Sequence, residues 1–149
     1  MTRLRVYRSE DCPELAALCT RTVHTVCARD YTQPQLDAWA DGQVDLAAWD
    51  ASFQAHVTLV AEDETGIVGF GDIADDGYLD RLYVRWDRQG QGIGAALCRA
   101  LLAAVPAQVY TTHASLTARP FFTALGWRTV REQQVERHGV WLTNFVMEY

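Results

Sequence analysis

Between Arg85 and Leu97 the chain reads RWDRQGQGIGAAL, with Gly90, Gly92 and Gly94 on alternate positions ahead of an Ala/Leu-rich run. Glycines at this density strip side chains from a place where something approaches the backbone. At the start of a helix the first N–H groups lack an intrahelical partner and point outward. A phosphate or pyrophosphate is a natural acceptor for them. Arg85 and Arg88, just ahead of the loop, are expected to add positive charge. The reading that asks for no ligand is a tight turn with close helix packing.

Three glycine-loop patterns compete for this stretch. A Walker A loop needs G-x-x-x-x-G-K-[ST], and the chain contains no lysine, which removes that class of ATPase and GTPase. Gly90, Gly92 and Ala95 satisfy a relaxed G-x-G-x-x-[GA] dinucleotide fingerprint. A dinucleotide fold places an acidic residue at the end of the following strand to hold the ribose. Here that strand ends Thr111-Thr112-His113-Ala114-Ser115, with no carboxylate. Gln89, Gly92 and Gly94 satisfy the third pattern, Q-x-x-G-x-G.

The elements that must position this loop follow from periodicity and punctuation. Leu4–Tyr7 reads as an opening strand. A helix follows with Pro13 in its first turn, and Leu15, Leu18, Cys19, Thr22, Val23 and Val26 form its apolar stripe. A second helix starts near Thr32 with Pro34 in its first turn, and a further turn is expected from Val44 to Trp49. HVTLVAED and IVGFGDI flank a Glu64-Thr65-Gly66 turn as a hairpin. YLDRLYV alternates as a third strand, with Tyr78, Asp80, Leu82 and Val84 on one face. The glycine loop then opens a helix that stops before Pro106. QVYTTH reads as a strand, LTARPFFTAL as a helix, and the rest as a hairpin turning at His138-Gly139. One mixed α/β domain over residues 1–149 is expected.

Composition narrows the function classes. Apolar residues make up 49% and charged residues 21% of the 149, as in ordinary globular proteins. No apolar run approaches the length of a membrane span, and the N-terminus has no signal-peptide core, so a cytoplasmic protein is expected. The net charge of −6 and the absence of lysine argue against a nucleic-acid partner. Cys12, Cys19, Cys27 and Cys98 show no metal-ligand spacing, so no metal is expected and the thiols read as buried packing groups.

RLYVRWDRQGQGIGAALCRALL closely resembles the acetyl-CoA-binding motif of the GCN5-related N-acetyltransferase (GNAT) superfamily. ASLTARPFFTALGW is similar to that family's second signature: a Ser or Asn after the fifth strand, an aromatic pair, then Leu-Gly-aromatic. The motifs span about Tyr78 to Trp127, and the element order agrees over the whole chain. YTQPQLDAWA is similar to a segment of the YafP-like branch.

The resemblance implies a single domain with a mixed, mostly antiparallel sheet, about four helices and the order β-α-α-β-β-β-α-β-α-β-β. It implies acetyl-CoA as co-substrate and an amine acceptor, and it allows a homodimer. Pantetheine would pair with the backbone of Leu82, Tyr83 and Val84. The pyrophosphate would lie on the amides of Gln89, Gly90, Gln91, Gly92, Ile93, Gly94 and Ala95. Ser115 and Phe121 or Phe122 would face the other side of the arm, and a backbone N–H near Val84 would hold the oxyanion.

For the base, the family often uses an acid on the fourth strand, which here is Asp80; pairing of Asp80 with an arginine is the competing reading. His113 is the alternative base. The usual acid is a tyrosine at the second aromatic of the pair, and here that residue is Phe122. Tyr110 and Tyr83 are the substitutes, and unassisted departure of the thiolate is the other option. Tyr31 and Trp39, with Trp49, His24 and Trp141, are expected pocket residues, and packing is the competing role for each. A non-catalytic acyl-CoA-binding or sensing domain is the alternative function.

Overall fold

A computed structural model describes all of residues 1–149. In chain order the elements are β1 (Arg3–Val6), α1 (Cys12–Val26), α2 (Gln33–Trp39), α3 (Leu46–Ala55), β2 (Val57–Asp63), β3 (Gly66–Ile73) and β4 (Tyr78–Val84), then α4 (Ile93–Ala104), β5 (Thr111–Ser115), α5 (Arg119–Ala124), β6 (Arg128–Arg137) and β7 (Val140–Glu148). Short 3-10 turns at Ser9–Asp11 and Cys27–Arg29 bracket α1. The seven strands form one sheet in the order β1-β2-β3-β4-β5-β7-β6. All pairings are antiparallel except β4 with β5.

The apolar stripe of α1 is buried through Leu15, Leu18, Cys19, Thr22 and Val23. It packs with Leu36 of α2 and Phe53 of α3 against Val60 and Phe70 on one face of the sheet. Each such aliphatic or aromatic side chain contributes roughly 1.5–3 kcal/mol when buried. Ile93, Leu97, Cys98 and Leu101 of α4, with Phe122 of α5, cover the other face. All four cysteines are free and buried.

The structure departs from the sequence reading most clearly at α3, β5 and β4. α3 is a full helix rather than a turn, so the sheet carries five α-helices. Its LAAWDASFQA segment buries only Phe53 completely, which leaves a weak periodic signal; Asp45 caps it by accepting the Ala48 N–H at 3.0 Å. The fifth strand runs Thr111–Ser115, later than QVYTTH; ahead of it the Tyr110 main chain pairs with Tyr149 and its hydroxyl binds at the end of α4. The alternation expected for YLDRLYV is interrupted by a β-bulge, described below. Other local signals act where they were read. Thr32 and Gln35 form a capping box at α2, and His138 and Gly139 both take positive φ at the β6–β7 turn.

Candidate active site

β4 and β5 are paired only at Tyr78–Thr111 and Leu79–Thr112. Beyond that point the strands diverge, and the gap opens into a cleft of about 310 Å³. Asp80 and His113 are the next residues on the two strands, so they stand at the vertex of the divergence. Thr22, Cys27, Trp39, Leu82, Tyr83, Val84, Gln89, Gly94, Ser115, Phe121 and Phe122 also line the cleft.

Strand geometry decides which backbone groups face this gap. The Arg85 N–H donates to the Val68 carbonyl at 2.8 Å, so Arg85 and Val68 are a hydrogen-bonded antiparallel pair. Such pairs alternate along a ladder. Tyr83, opposite Phe70, therefore turns its main chain toward β3, while Leu82 and Val84 turn theirs toward the cleft. This corrects the expectation that Tyr83 offers its backbone to a ligand. The Val84 carbonyl is already taken by the Gln89 side-chain amide at 2.6 Å, which ties the glycine loop to the strand end.

Past the strand end, the N–H groups of Gln89 through Ala95 have no hydrogen-bond partner within the protein. The first intrahelical bond of α4 runs from the Ala96 N–H to the Gly92 carbonyl. Gly92 is the N-cap, with φ of +81°, a left-handed conformation that favours glycine. Gly94 meets a different demand: a Cβ there would lie 3.1 Å from the Phe121 ring. Ile93 turns its side chain into the core beside Leu97. The loop is thus a row of unpaired donors at a helix N-terminus. Arg85 and Arg88 do not lend it free charge as expected, because Arg85 pairs with Asp87 at 2.6 Å and Arg88 with Asp63 at 3.3 Å.

The β4 bulge builds the other half of the site. Ile73 pairs with Leu79 but Asp72 pairs with Arg81, so Asp80 is the extra residue. Leu79 and Leu82 pack on the α4 face, whereas the Arg81 guanidinium lies over the rings of Trp49 and Phe53 on the α1–α3 face. Asp80 follows Arg81, with its carboxylate 3.6 Å from Nη2. It therefore does not share the face of Leu82 and Val84, as strict alternation required.

Beneath it Asp72 is completely buried. Its Oδ1 accepts the Arg81 backbone N–H at 3.0 Å, and its Oδ2 accepts Arg81 Nη1 at 2.8 Å and faces His56 Nδ1 at 2.7 Å. Burial pushes the Asp72 carboxyl up from its usual range, opposed by the Arg81 charge and the His56 hydrogen bond.

The remaining expected site residues separate clearly. His113 is exposed at the cleft mouth, edge-on to Tyr78 at 5.4 Å, and burial together with Arg131 lowers its pKa. Trp39 lines the cleft. Tyr31 does not: its hydroxyl donates to the Thr143 carbonyl at 2.6 Å and accepts the Leu116 N–H at 2.9 Å, tying the segment ahead of α2 to β7 and to the turn after β5. Tyr110 is also out of place for an acid, because its hydroxyl donates to the Leu102 and Val105 carbonyls at the far end of α4. Tyr83 is in the cleft wall, but burial holds its hydroxyl far above the usual tyrosine range. His24 binds the Ala40 carbonyl, Trp49 packs edge-on against Phe53, and Trp141 is exposed.

Three residues of this region were not singled out from the sequence. Thr22 lines the cleft with a buried hydroxyl that has no partner, and nothing distinguishes it in the apolar stripe of α1. Asp72 carried a usable signal, a lone carboxylate at the end of the apolar run IVGFGDI. His56 is recognisable only through Asp72.

A model of the Acetyltransferase (GNAT) domain family matches residues 27–149. The uncharacterized N-acetyltransferase YafP of Escherichia coli is 33% identical over 147 residues, covering 99% of this chain and 95% of that protein. A GCN5-related N-acetyltransferase crystal structure from Rhodopseudomonas palustris superposes with a TM-score of 0.94 at 31% identity, over 99% of this chain and 94% of that one. The fold is shared with the yncA acetyltransferase of Salmonella typhimurium, solved with acetyl-CoA (TM-score 0.74, 18% identity, covering 100% and 93% of the two chains). It is also shared with the paia N-acetyltransferase of Thermoplasma acidophilum, solved with coenzyme A (TM-score 0.75, 15% identity, covering 99% and 98%). On the family match and the identity to YafP, the chain belongs to the GCN5-related N-acetyltransferase superfamily and is YafP-like.

Proposed function

We propose that this protein transfers an acetyl group from acetyl-CoA to a primary amine of a small molecule or peptide, by direct attack in a ternary complex. The observation that carries the reading is the run of unpaired N–H groups from Gln89 to Ala95 at the start of α4, beside the cleft-facing edge of β4 at Leu82 and Val84. An extended pantetheine arm fits against Leu82 and Val84 as an added strand. The pyrophosphate fits the amides of Gln89–Ala95 at the helix N-terminus. The Val84 N–H is the donor best placed for the oxyanion. Ser115 and Phe121 face the arm from the β5 side, and Phe122 closes the wall.

Asp80, at the vertex of the cleft, serves as base. It takes a proton from the acceptor nitrogen as the C–N bond forms and the C–S bond breaks. His113 at the mouth is the alternative. No tyrosine is placed as acid, and the thiolate leaves unassisted, as a thiol with a pKa of about 8.5 permits. The missing acid also favours a second reading, an acyl-CoA sensor without turnover. A thiol-release assay across an amine panel, run beside CoA calorimetry, separates the two. Amine-dependent CoA release supports the transferase; stoichiometric CoA binding with no turnover on any amine supports the sensor.

A further inference from the structure

We propose that His56 carries away to solvent the proton that Asp80 takes from the acceptor nitrogen, and that Asp72 is the positioning residue that fixes the His56 ring for this task. The proposal rests on the transferase reading with Asp80 as base. Ligand-capable atoms of His56, Asp72 and Asp80 lie within 4.8 Å of one another, a span closed by one hydrogen bond or one bridging water.

The direction of transfer follows from the bonding. An ionised carboxylate only accepts, so Asp72 Oδ2 fixes the hydrogen of a neutral imidazole on Nδ1 and leaves Nε2 as the acceptor. Nε2 makes no hydrogen bond within the protein, so it is free to take a proton. Exposure gives the route an exit: the Asp80 side chain, 31% exposed, lines the cleft that donor and acceptor would fill, Asp72 is sealed, and the His56 side chain, 18% exposed, lies outside the cleft lining.

Arg81 is the one guanidinium between two carboxylates, Asp72 at 2.8 Å and Asp80 at 3.6 Å, so the cluster has a carboxylate left over to face a proton in transit at His56. Tyr78 and His113 are the other titratable groups within reach of the Asp80 charge, and Arg137 acts on both of them. The same three ligand types could suggest a divalent cation, but the Arg81 guanidinium already occupies the Asp72 oxygen that such an ion would need.

In the step itself, attack forms the C–N bond and expels CoA thiolate. The nitrogen proton passes to an Asp80 oxygen and then to His56 Nε2, and leaves to solvent, while the thiolate takes a proton from solvent.

The test has two arms. Nitrogen NMR of the wild-type ring should show the Nδ1–H tautomer for neutral His56; the Nε2–H tautomer overturns the proposal without reference to any acceptor. In steady-state kinetics with the best amine of the panel, His56→Ala should lower kcat about 10- to 100-fold with KM for acetyl-CoA unchanged. Added imidazole should restore part of that loss. His56→Gln keeps a donor toward Asp72 and should still lose activity. Wild-type kcat in His56→Gln, or a loss in His56→Ala that imidazole does not touch, overturns the relay. If CoA binds and no amine is turned over, Asp80 as base fails first and the relay falls with it.

Discussion

The two halves of the cleft are built from different materials. On the side proposed for the donor, β4 and the glycine loop offer main-chain groups, and side chains matter there chiefly by being small. On the side proposed for the acceptor, a bulge and the Asp72–Arg81–His56 cluster hold charged side chains at fixed positions around Asp80. A site made of backbone is carried by a local pattern; a site made of side chains depends on what the fold brings together. The donor half should therefore control affinity for CoA, and the acceptor half should control turnover.

The largest effect should come from the acceptor half. Asp80→Asn should lower kcat by about 10²- to 10⁴-fold while KM for acetyl-CoA stays put, checked by steady-state kinetics at saturating donor. A matching rise in that KM would break the division between the halves. Next, Arg81→Met removes the guanidinium that compensates a fully buried carboxylate. Stripping one partner from a buried pair costs about 3–5 kcal/mol, and urea denaturation should read a loss of that size.

On the donor side, Gly92→Asp places a carboxylate where the pyrophosphate is proposed to lie. Nothing lies within 4 Å of a Cβ at Gly92, and aspartate tolerates its left-handed backbone better than most residues. The variant should fold, melt near the wild type, and lose on the order of 100-fold in CoA affinity by calorimetry, about 2.7 kcal/mol. Normal CoA affinity in the folded variant removes the loop from the donor site.

The smallest effect lies outside the cleft and should leave both of its halves unchanged. Burial acts upward on Asp11, but the Arg5 hydrogen bond and the Arg8 backbone N–H outweigh it and hold Asp11 below its usual range. Hydrogen bonds from Arg5 and Arg3 lower Glu62, and Thr65 with Arg88 lowers Asp63 to about 2. Carboxylates whose folded pKa is depressed stabilise the fold above their unfolded values and lose that contribution as pH falls through the folded ones. Stability should be flat above pH ~4.5 and fall toward pH ~2. Asp72, pushed upward, works in the opposite sense. Arg5→Met should shallow the acid limb of a pH–melting curve without changing CoA affinity.

The same division explains what could be read from residues alone. Q-x-x-G-x-G, the strand before it and the aromatic signature after it are local, and from them the glycine loop at the start of α4 and the element order could be read. The β4 bulge could not be seen, because YLDRLYV alternates in type and only pairing with β3 reveals the extra residue. That one residue changed the face assigned to Asp80. Tyr110 and Tyr31 were misplaced for a related reason: a tyrosine hydroxyl serves structure or chemistry according to the carbonyls near it, and those belong to α4 and β7. α3 was read as a turn because its small residues bury little.

Amide hydrogen exchange with and without CoA reads the proposed main-chain donor site one amide at a time. CoA binding should slow exchange at Gln89 through Ala95 and at Leu82 and Val84, with little change at Tyr83, whose main chain is already paired to β3. Binding that leaves the loop amides unprotected, or that protects Tyr83 in place of Leu82 and Val84, would contradict the account.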